Sequence, residues 1–301
     1  MMGCGRISCG PALTARSIVP KKAAKKVPST SPSKRPAKKF PASPPSPPPT
    51  KALTARKGPE APQLWVGTSG YSYKEWKGSF YPEKLPVKQM LAYYASQFPT
   101  VESNDTFRGI PKPEALEGRA AQVPDTFRFA LKAPQAITHF KRLNHEAATV
   151  AVEFFGVAAT LQKRLGPILL QLPPNFKKDL AKLEAFLSAV PSPTKSGCCL
   201  AFEFRHESWM DAEVYACLKS HQAALVWADS DDGPVPPPVA TTTWGYLRLR
   251  REAYTRKDLS RWLADIRKQP WTDAFIYFKH EETGTGPRYG RELLELAEGG
   301  A

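Results

Sequence analysis

Cysteine is scarce in this 301-residue chain, and none of the five is spaced as C-x-x-C. Zinc-ribbon and disulfide-framework readings are thereby excluded, and reduced thiols in a cytoplasmic protein are expected. No apolar run approaches the roughly 18 residues of a membrane span, so no membrane partner is expected. The first twenty residues also lack the continuous apolar core of a secretory signal. Histidine numbers only five, with no H-x-x-x-H pair. A sugar-isomerase-like metal centre therefore has no spacing to support it, and no motif names a cofactor. Acidic residues are almost missing from the first fifth of the chain.

That last absence reassigns the net charge. Residues 1–62 hold 13 of the 43 Lys and Arg but only one acid, Glu60, so they carry +12 of the formal +15. The remaining 239 residues carry only +3, and a nucleic-acid signature cannot be read from the whole-chain charge. The segment includes Lys21-Lys22, Lys25-Lys26, Lys34-Arg35, Lys38-Lys39 and a Pro/Ser run from Pro41 to Pro49. So few large apolar residues predict a disordered, extended tail over 1–62. Its partner is either nucleic acid, held weakly and without sequence preference, or water alone; both remain open.

Beyond Pro62 eight short β-like runs follow one another: Leu64–Thr68, Thr100–Asn104, Phe127–Lys132, Ile168–Leu172, Cys199–Arg205, Ala224–Asp229, Gly245–Leu249 and Ala274–Lys279. Helical periodicity separates most of them. Leu91, Tyr94, Ala95 and Phe98 recur at i, i+3, i+4, i+7, as do Leu259, Trp262, Leu263 and Ile266. Thr255 and Asp258 have the spacing of a capping box. Between the sixth and seventh runs, Pro234 and Pro236–Pro238 rule out an ordinary helix and predict a loop. Strands alternating with helices imply a parallel sheet, and eight of them imply closure. The expected fold class is α/β, a single (β/α)₈ TIM-type barrel over residues 63–301, close to the ~250 residues usual for that architecture.

Parallel barrel strands are covered on both faces and normally read as unbroken apolar runs. Here many alternate. Ala201, Glu203 and Arg205 share one face, as do Arg128, Ala130 and Lys132, and Tyr246, Arg248 and Arg250. Glu102 pairs with Asn104, Trp227 with Asp229 and Tyr277 with Lys279, while the fourth run offers Gln171. If the apolar faces meet the helices, these polar faces point into the barrel, and most lie toward the strand C-termini where barrel enzymes build their sites. Arg128, at the start of its strand, is expected to be structural. For the rest two readings stay open: a buried ion-pair network, or a ligand site.

Several motifs carry a resemblance. Val66-Gly-Thr-Ser-Gly-Tyr71, Trp76, Phe80-Tyr-Pro82 and Val101-Glu-Ser-Asn-Asp-Thr-Phe107 are similar to the YecE-like family, domain of unknown function family 72. So are Phe129–Lys132, Ile137-Thr-His139, Leu170–Pro174, Phe202–His206 with Ser208-Trp209, and Tyr246–Leu249, in family order. The resemblance implies a barrel like those of the endonuclease-IV and sugar-isomerase class, and brings no established reaction. Two positions depart from it: Arg250-Arg251 stand where relatives typically continue His-Gly, and Tyr289 stands where an Asn is usual.

Candidate catalytic groups are Glu102, Lys132, Glu203, His206 and Asp229. Candidate ligand-binding groups are Ser69, Tyr71, Asn104, His139, Gln171, Arg205, Trp209, Arg248 and Lys279. A cationic excess in a concave mouth suits a small anionic ligand, a phosphate ester or a nucleic-acid backbone. Gly67–Gly70 offers backbone N–H donors or simply a tight turn, and Trp76, Trp209 and Tyr71 either stack a ring or fill core. Glycoside hydrolysis is disfavoured, because Gln171 and Arg248 occupy the strand ends where barrel glycosidases place their carboxylates. Three functions remain: an enzyme on an anionic substrate, with Glu203 or Glu102 as base; a nucleic-acid-associated barrel; a binding barrel without turnover.

Overall fold

The computed structural model describes residues 61–191, 197–231, 236–280 and 284–299. Residues 1–60, to which the tail expectation chiefly applies, lie outside that range. Eight strands are present: β1 (Gln63–Thr68), β2 (Thr100–Ser103), β3 (Arg128–Lys132), β4 (Leu165–Gln171), β5 (Leu200–Glu203), β6 (Ala224–Asp229), β7 (Trp244–Leu249) and β8 (Asp273–Phe278). All their ladders are parallel, and β1 pairs with β8 from Gln63↔Asp273 to Thr68↔Phe278. Helices α1 (Met90–Ala95), α2 (Pro113–Ala120), α3 (His145–Ala158), α4 (Leu180–Ala189), α5 (Ala212–Ser220), α6 (Arg256–Arg267) and α7 (Thr285–Gly299) cover the outside. The molecule is a (β/α)₈ barrel, and none of its described helices is long and apolar enough to cross a membrane. Between β6 and β7 the described residues contain no helix, as the prolines require.

The expected capping box is present at α6: Thr255 Oγ1 accepts from the Asp258 N–H, and Asp258 accepts from the Thr255 N–H at 3.0 Å. Its apolar stripe buries Leu259, Leu263 and Ile266. Inside the barrel the floor is aromatic: Trp65 stacks on Phe275 at 5.7 Å, and the Arg128 guanidinium lies 5.0 Å from the Trp65 ring. Arg128 is therefore part of the floor. Above it, Ala130, Leu169, Ala201, Val226, Tyr246 and Tyr277 form a tight buried layer.

The ring closes unusually between β1 and β2. There the sheet is joined by an isolated bridge, Ser69↔Glu102, with the Gly70 N–H donating to Glu102 O at 2.8 Å. Gly67 brings the strands so close that a Cβ would stand 2.1 Å from Thr100 O, a distance no side chain tolerates. Tyr94 of α1 completes the seam: its hydroxyl accepts from the Thr68 N–H at 2.8 Å and donates to Thr100 O at 3.1 Å.

Candidate functional site

Three strands that are not neighbours send charged side chains to the centre of the barrel. Arg248 of β7 donates from Nη2 to Glu102 Oε1 of β2 at 2.8 Å, and from Nη1 to Glu203 Oε2 of β5 at 2.5 Å. The three residues are between 0 and 2 % exposed. Their remaining lone pairs are also used. Ser69 Oγ and Tyr246 OH each donate to Glu102 at 2.6 Å. Gln171 Nε2 and Arg250 Nη1 donate to Glu203 Oε1 at 2.8 and 3.3 Å. Burial pushes both carboxyls up, but Arg248 and the surrounding donors win. Glu102 ends below its usual range, and Glu203, with Arg250 helping, falls to about 2.

This network reaches the mouth through an amide. Because Gln171 Nε2 faces an ionised acceptor, its Oε1 must face the other way, where Lys132 Nζ donates to it at 2.8 Å. Lys132 ends β3, and its ammonium lies 4.0 Å from the Phe107 ring. Burial and then the Arg248 charge pull its pKa down to about 8, against the opposing pull of Glu102 and Glu203. Half-buried Arg205 stands 3.6 Å from Glu203, and Lys279 acts on Lys132 from the end of β8. His139, on the turn after β3, packs edge-on against Phe107 at 4.9 Å. Its pKa is lowered by burial and by Lys132, Arg205 and Arg142. Asn104 Oδ1 and Ser103 Oγ are buried without a hydrogen-bond partner at the end of β2.

Four candidates are placed elsewhere. Asp229, expected inside, points outward to accept from Trp262 Nε1 at 3.1 Å and Arg251 Nε at 2.9 Å. The inward positions of β6 are instead Ala224 and Val226, while Trp227 packs on Trp262 and Trp271. Trp209 is fully buried, stacked on Phe204 at 4.6 Å and donating to Phe176 O. It is core. His206 caps the turn it begins, with Nδ1 accepting from the Ser208 N–H at 3.2 Å. Tyr71 is half-buried beside Tyr94, 6.2 Å between centroids, with Arg119 and Asp105 near its hydroxyl. Among the described residues no three His, Cys, Asp or Glu side chains gather as metal ligands.

Residues 65–300 match the family described as "Protein of unknown function DUF72". The chain belongs to the DUF72 family. UPF0759 protein YunF of Bacillus subtilis is 25 % identical over 274 residues, 78 % of this chain and 95 % of that one. UPF0759 protein YecE of Escherichia coli is 32 % identical over 144 residues, 48 % of each chain. Among solved structures, a DUF72 protein of Thermotoga maritima superposes with a TM-score of 0.65 at 26 % identity, covering 78 % of this chain and 99 % of that one. One from Enterococcus faecalis gives 0.63 at 19 %, covering 80 % and 99 %. Arg250-Arg251, after β7, and Tyr289, on α7, meet beyond the C-terminal ends of β7 and β8. Arg250 reaches Glu203; Arg251 lies over the Tyr254 ring, and its carbonyl is 2.6 Å from His280 Nε2. Tyr289 packs on His280 and accepts from the Tyr254 N–H at 3.1 Å. Arg250 and Tyr246 were detectable by strand parity with Arg248; Phe107 and Arg142, on irregular turns, had no periodicity to reveal them.

Proposed function

We propose that the C-terminal mouth of the barrel binds a phosphorylated or similarly anionic small molecule and moves a proton on it through Lys132. One observation carries the reading: a half-buried amine, with its pKa near 8, sits above two carboxylates that Arg248 and Arg250 already pair. Such an amine gives up and regains a proton close to neutral pH, the range in which general acid–base catalysis is efficient. Arg205, Arg250 and Lys279 supply the positive charge that an oxyanion needs. Glu102 and Glu203 become positioning groups, since both are held below the usual carboxylate range, Glu203 near 2, and are weak bases at pH 7. The cytoplasm is the proposed compartment, supported by free thiols at Cys198, Cys199 and Cys217. Residues 1–62 are proposed as a separate, salt-sensitive nucleic-acid tether; gel shifts unchanged by their removal would eliminate it.

Thermal-shift and calorimetric screening of phosphate esters tests the site. Saturable stabilisation of the parent, absent in Lys132→Met, is the expected outcome, followed by turnover of the stabilising compound. If no anionic compound stabilises the parent at millimolar concentration, the reading fails. Binding without turnover would make this a binding barrel.

A further inference from the structure

Among the described residues the exposed large hydrophobics are Val87, Phe140 and Val152, and Phe140 is both the aromatic one and the most exposed, at 72 %. It lies one residue beyond His139, on the loop that leaves the mouth end of β3. Its turn is held firmly. Ala136–Phe140 forms a π-helical turn, Lys141 N–H donates to Ala136 O at 3.0 Å, and Leu143 N–H donates to Ile137 O at 3.1 Å. Ile137 and Leu143 are buried, and Asn144 immediately caps α3. Arg142 and Leu143 both take left-handed backbone angles, φ 44° and 59°, which non-glycine residues adopt only where surrounding structure imposes them. A rigid, strained turn thus displays an apolar ring to solvent instead of burying it. π-turns of this kind recur at functional positions.

The charges that act on His139, the residue before Phe140, are cationic. Lys132, Arg205 and Arg142 surround His139 closely enough to lower its pKa, Arg142 Nε donating to the His139 carbonyl at 3.4 Å, while Lys141 on the other side of Phe140 is paired with Glu146. Phe107 is already occupied, by His139 on its edge and by Lys132 above it. Phe140 is the ring left for a ligand. A phosphorylated sugar alone would use the cations but offers Phe140 only a small C–H face, whereas a nucleotide joins a full aromatic base to a phosphate.

We propose that the mouth is a nucleotide site, in which the base stacks on Phe140 while the phosphate rests against Lys132, Arg205 and Arg142. This rests on the anionic reading above and names the ligand class. The nucleotide is either free or part of a single strand, and stacking on one aromatic side chain serves any base.

Calorimetric titration of the full chain with inorganic phosphate, ribose 5-phosphate, adenosine 5′-monophosphate and an eight-nucleotide thymidine strand tests it. Adenosine monophosphate should bind about 5- to 100-fold tighter than ribose 5-phosphate, the range that one stacked base supplies. Phe140→Ala should erase that ratio and leave ribose 5-phosphate unchanged. The basic segment 1–62 is the same in parent and variant, so the Phe140 effect reads the site. A Phe140-dependent gain for the strand over the mononucleotide, steeper in salt, assigns the site to single strands; equal affinities assign it to free nucleotides. Equal binding of ribose 5-phosphate and adenosine monophosphate, or a ratio that survives Phe140→Ala, overturns the proposal and leaves the anionic reading standing. Failure of all four probes overturns both. Phe140-dependent self-association in sedimentation, without nucleotide binding, would mean that the ring docks a second copy and would also overturn it.

Discussion

Two charged layers sit on the same strands, two residues apart, and they are built on different terms. On β5 Glu203 lies inside and Arg205 follows at the rim; on β7 Arg248 lies inside and Arg250 follows. In the inner layer each carboxylate oxygen has a donor, and the Arg248 guanidinium joins strands from across the barrel. At the rim, Lys132 and Arg205 add positive charge to two carboxylates that Arg248 and Arg250 already share. The carboxylates of the inner layer are satisfied without a ligand, although Arg248 Nε is buried with no hydrogen-bond partner. The rim carries a cationic excess that a bound anion would balance.

Breaking the inner layer should therefore cost the fold, and breaking the rim should cost binding. The largest effect is expected from Arg248→Met, which strands two buried carboxylates; chemical denaturation should show a loss of about 3–5 kcal/mol or outright misfolding. Glu203→Gln should cost somewhat less in the same assay, because Glu102 still pairs with the guanidinium. A loss below about 1 kcal/mol in either variant would erase the distinction between layers.

The pH dependence sharpens it from both sides. Glu203 has a folded-state pKa depressed to about 2 from an ordinary 4.5, so its stabilisation is present above 4.5 and lost as pH falls toward 2. Denaturation midpoints measured down the acid range should drop in the parent and flatten in Glu203→Gln. Lys132 is also depressed, from 10.5 to about 8, and the slope keeps the same sign at higher pH, but here the charged form is the one the fold disfavours. Between those values the unfolded chain holds more protons than the folded one, so stability should rise with pH from 8 to 10.5. Lys132→Met should abolish that rise and, at pH 7, leave stability unchanged or raise it by on the order of 1 kcal/mol. Smallest of all is Arg205→Gln: under about 0.5 kcal/mol in denaturation, with weakened binding of any anionic ligand.

How much of this was legible in the sequence follows from where each signal came from. Strand parity placed Glu102, Lys132, Gln171, Glu203 and Arg248 together because a barrel strand covered on both faces has no solvent side on which to put alternating charges, which leaves the interior. The same rule misplaced Asp229. On β6 the interior takes small side chains, Ala224 and Val226, and Asp229 finds its partners outside in Trp262 and Arg251. Polarity alone could not say which face held the better partner. Trp209 was ambiguous for a related reason: a tryptophan after a strand reads the same whether it stacks on a ligand or, as here, on Phe204. Phe140 left no trace, since a single apolar residue on a turn carries no period.

The seam between β1 and β2 gives the barrel a temporal order. Elsewhere around the ring, backbone pairs with backbone in parallel ladders, with a register shift between β3 and β4, but here the amide of Thr68 is held by a phenol carried on the intervening helix. Closure therefore draws on the docking of α1 beside the Ser69↔Glu102 bridge, and with that helix detached the Thr68 amide at the seam loses its partner. Exchange of the Thr68 amide with solvent deuterium should report that event directly, and Tyr94→Phe should speed it while the β7–β8 amides keep their protection. The first α-helix among the described residues serves as the latch of a structure whose last strand must arrive before the circle can be shut.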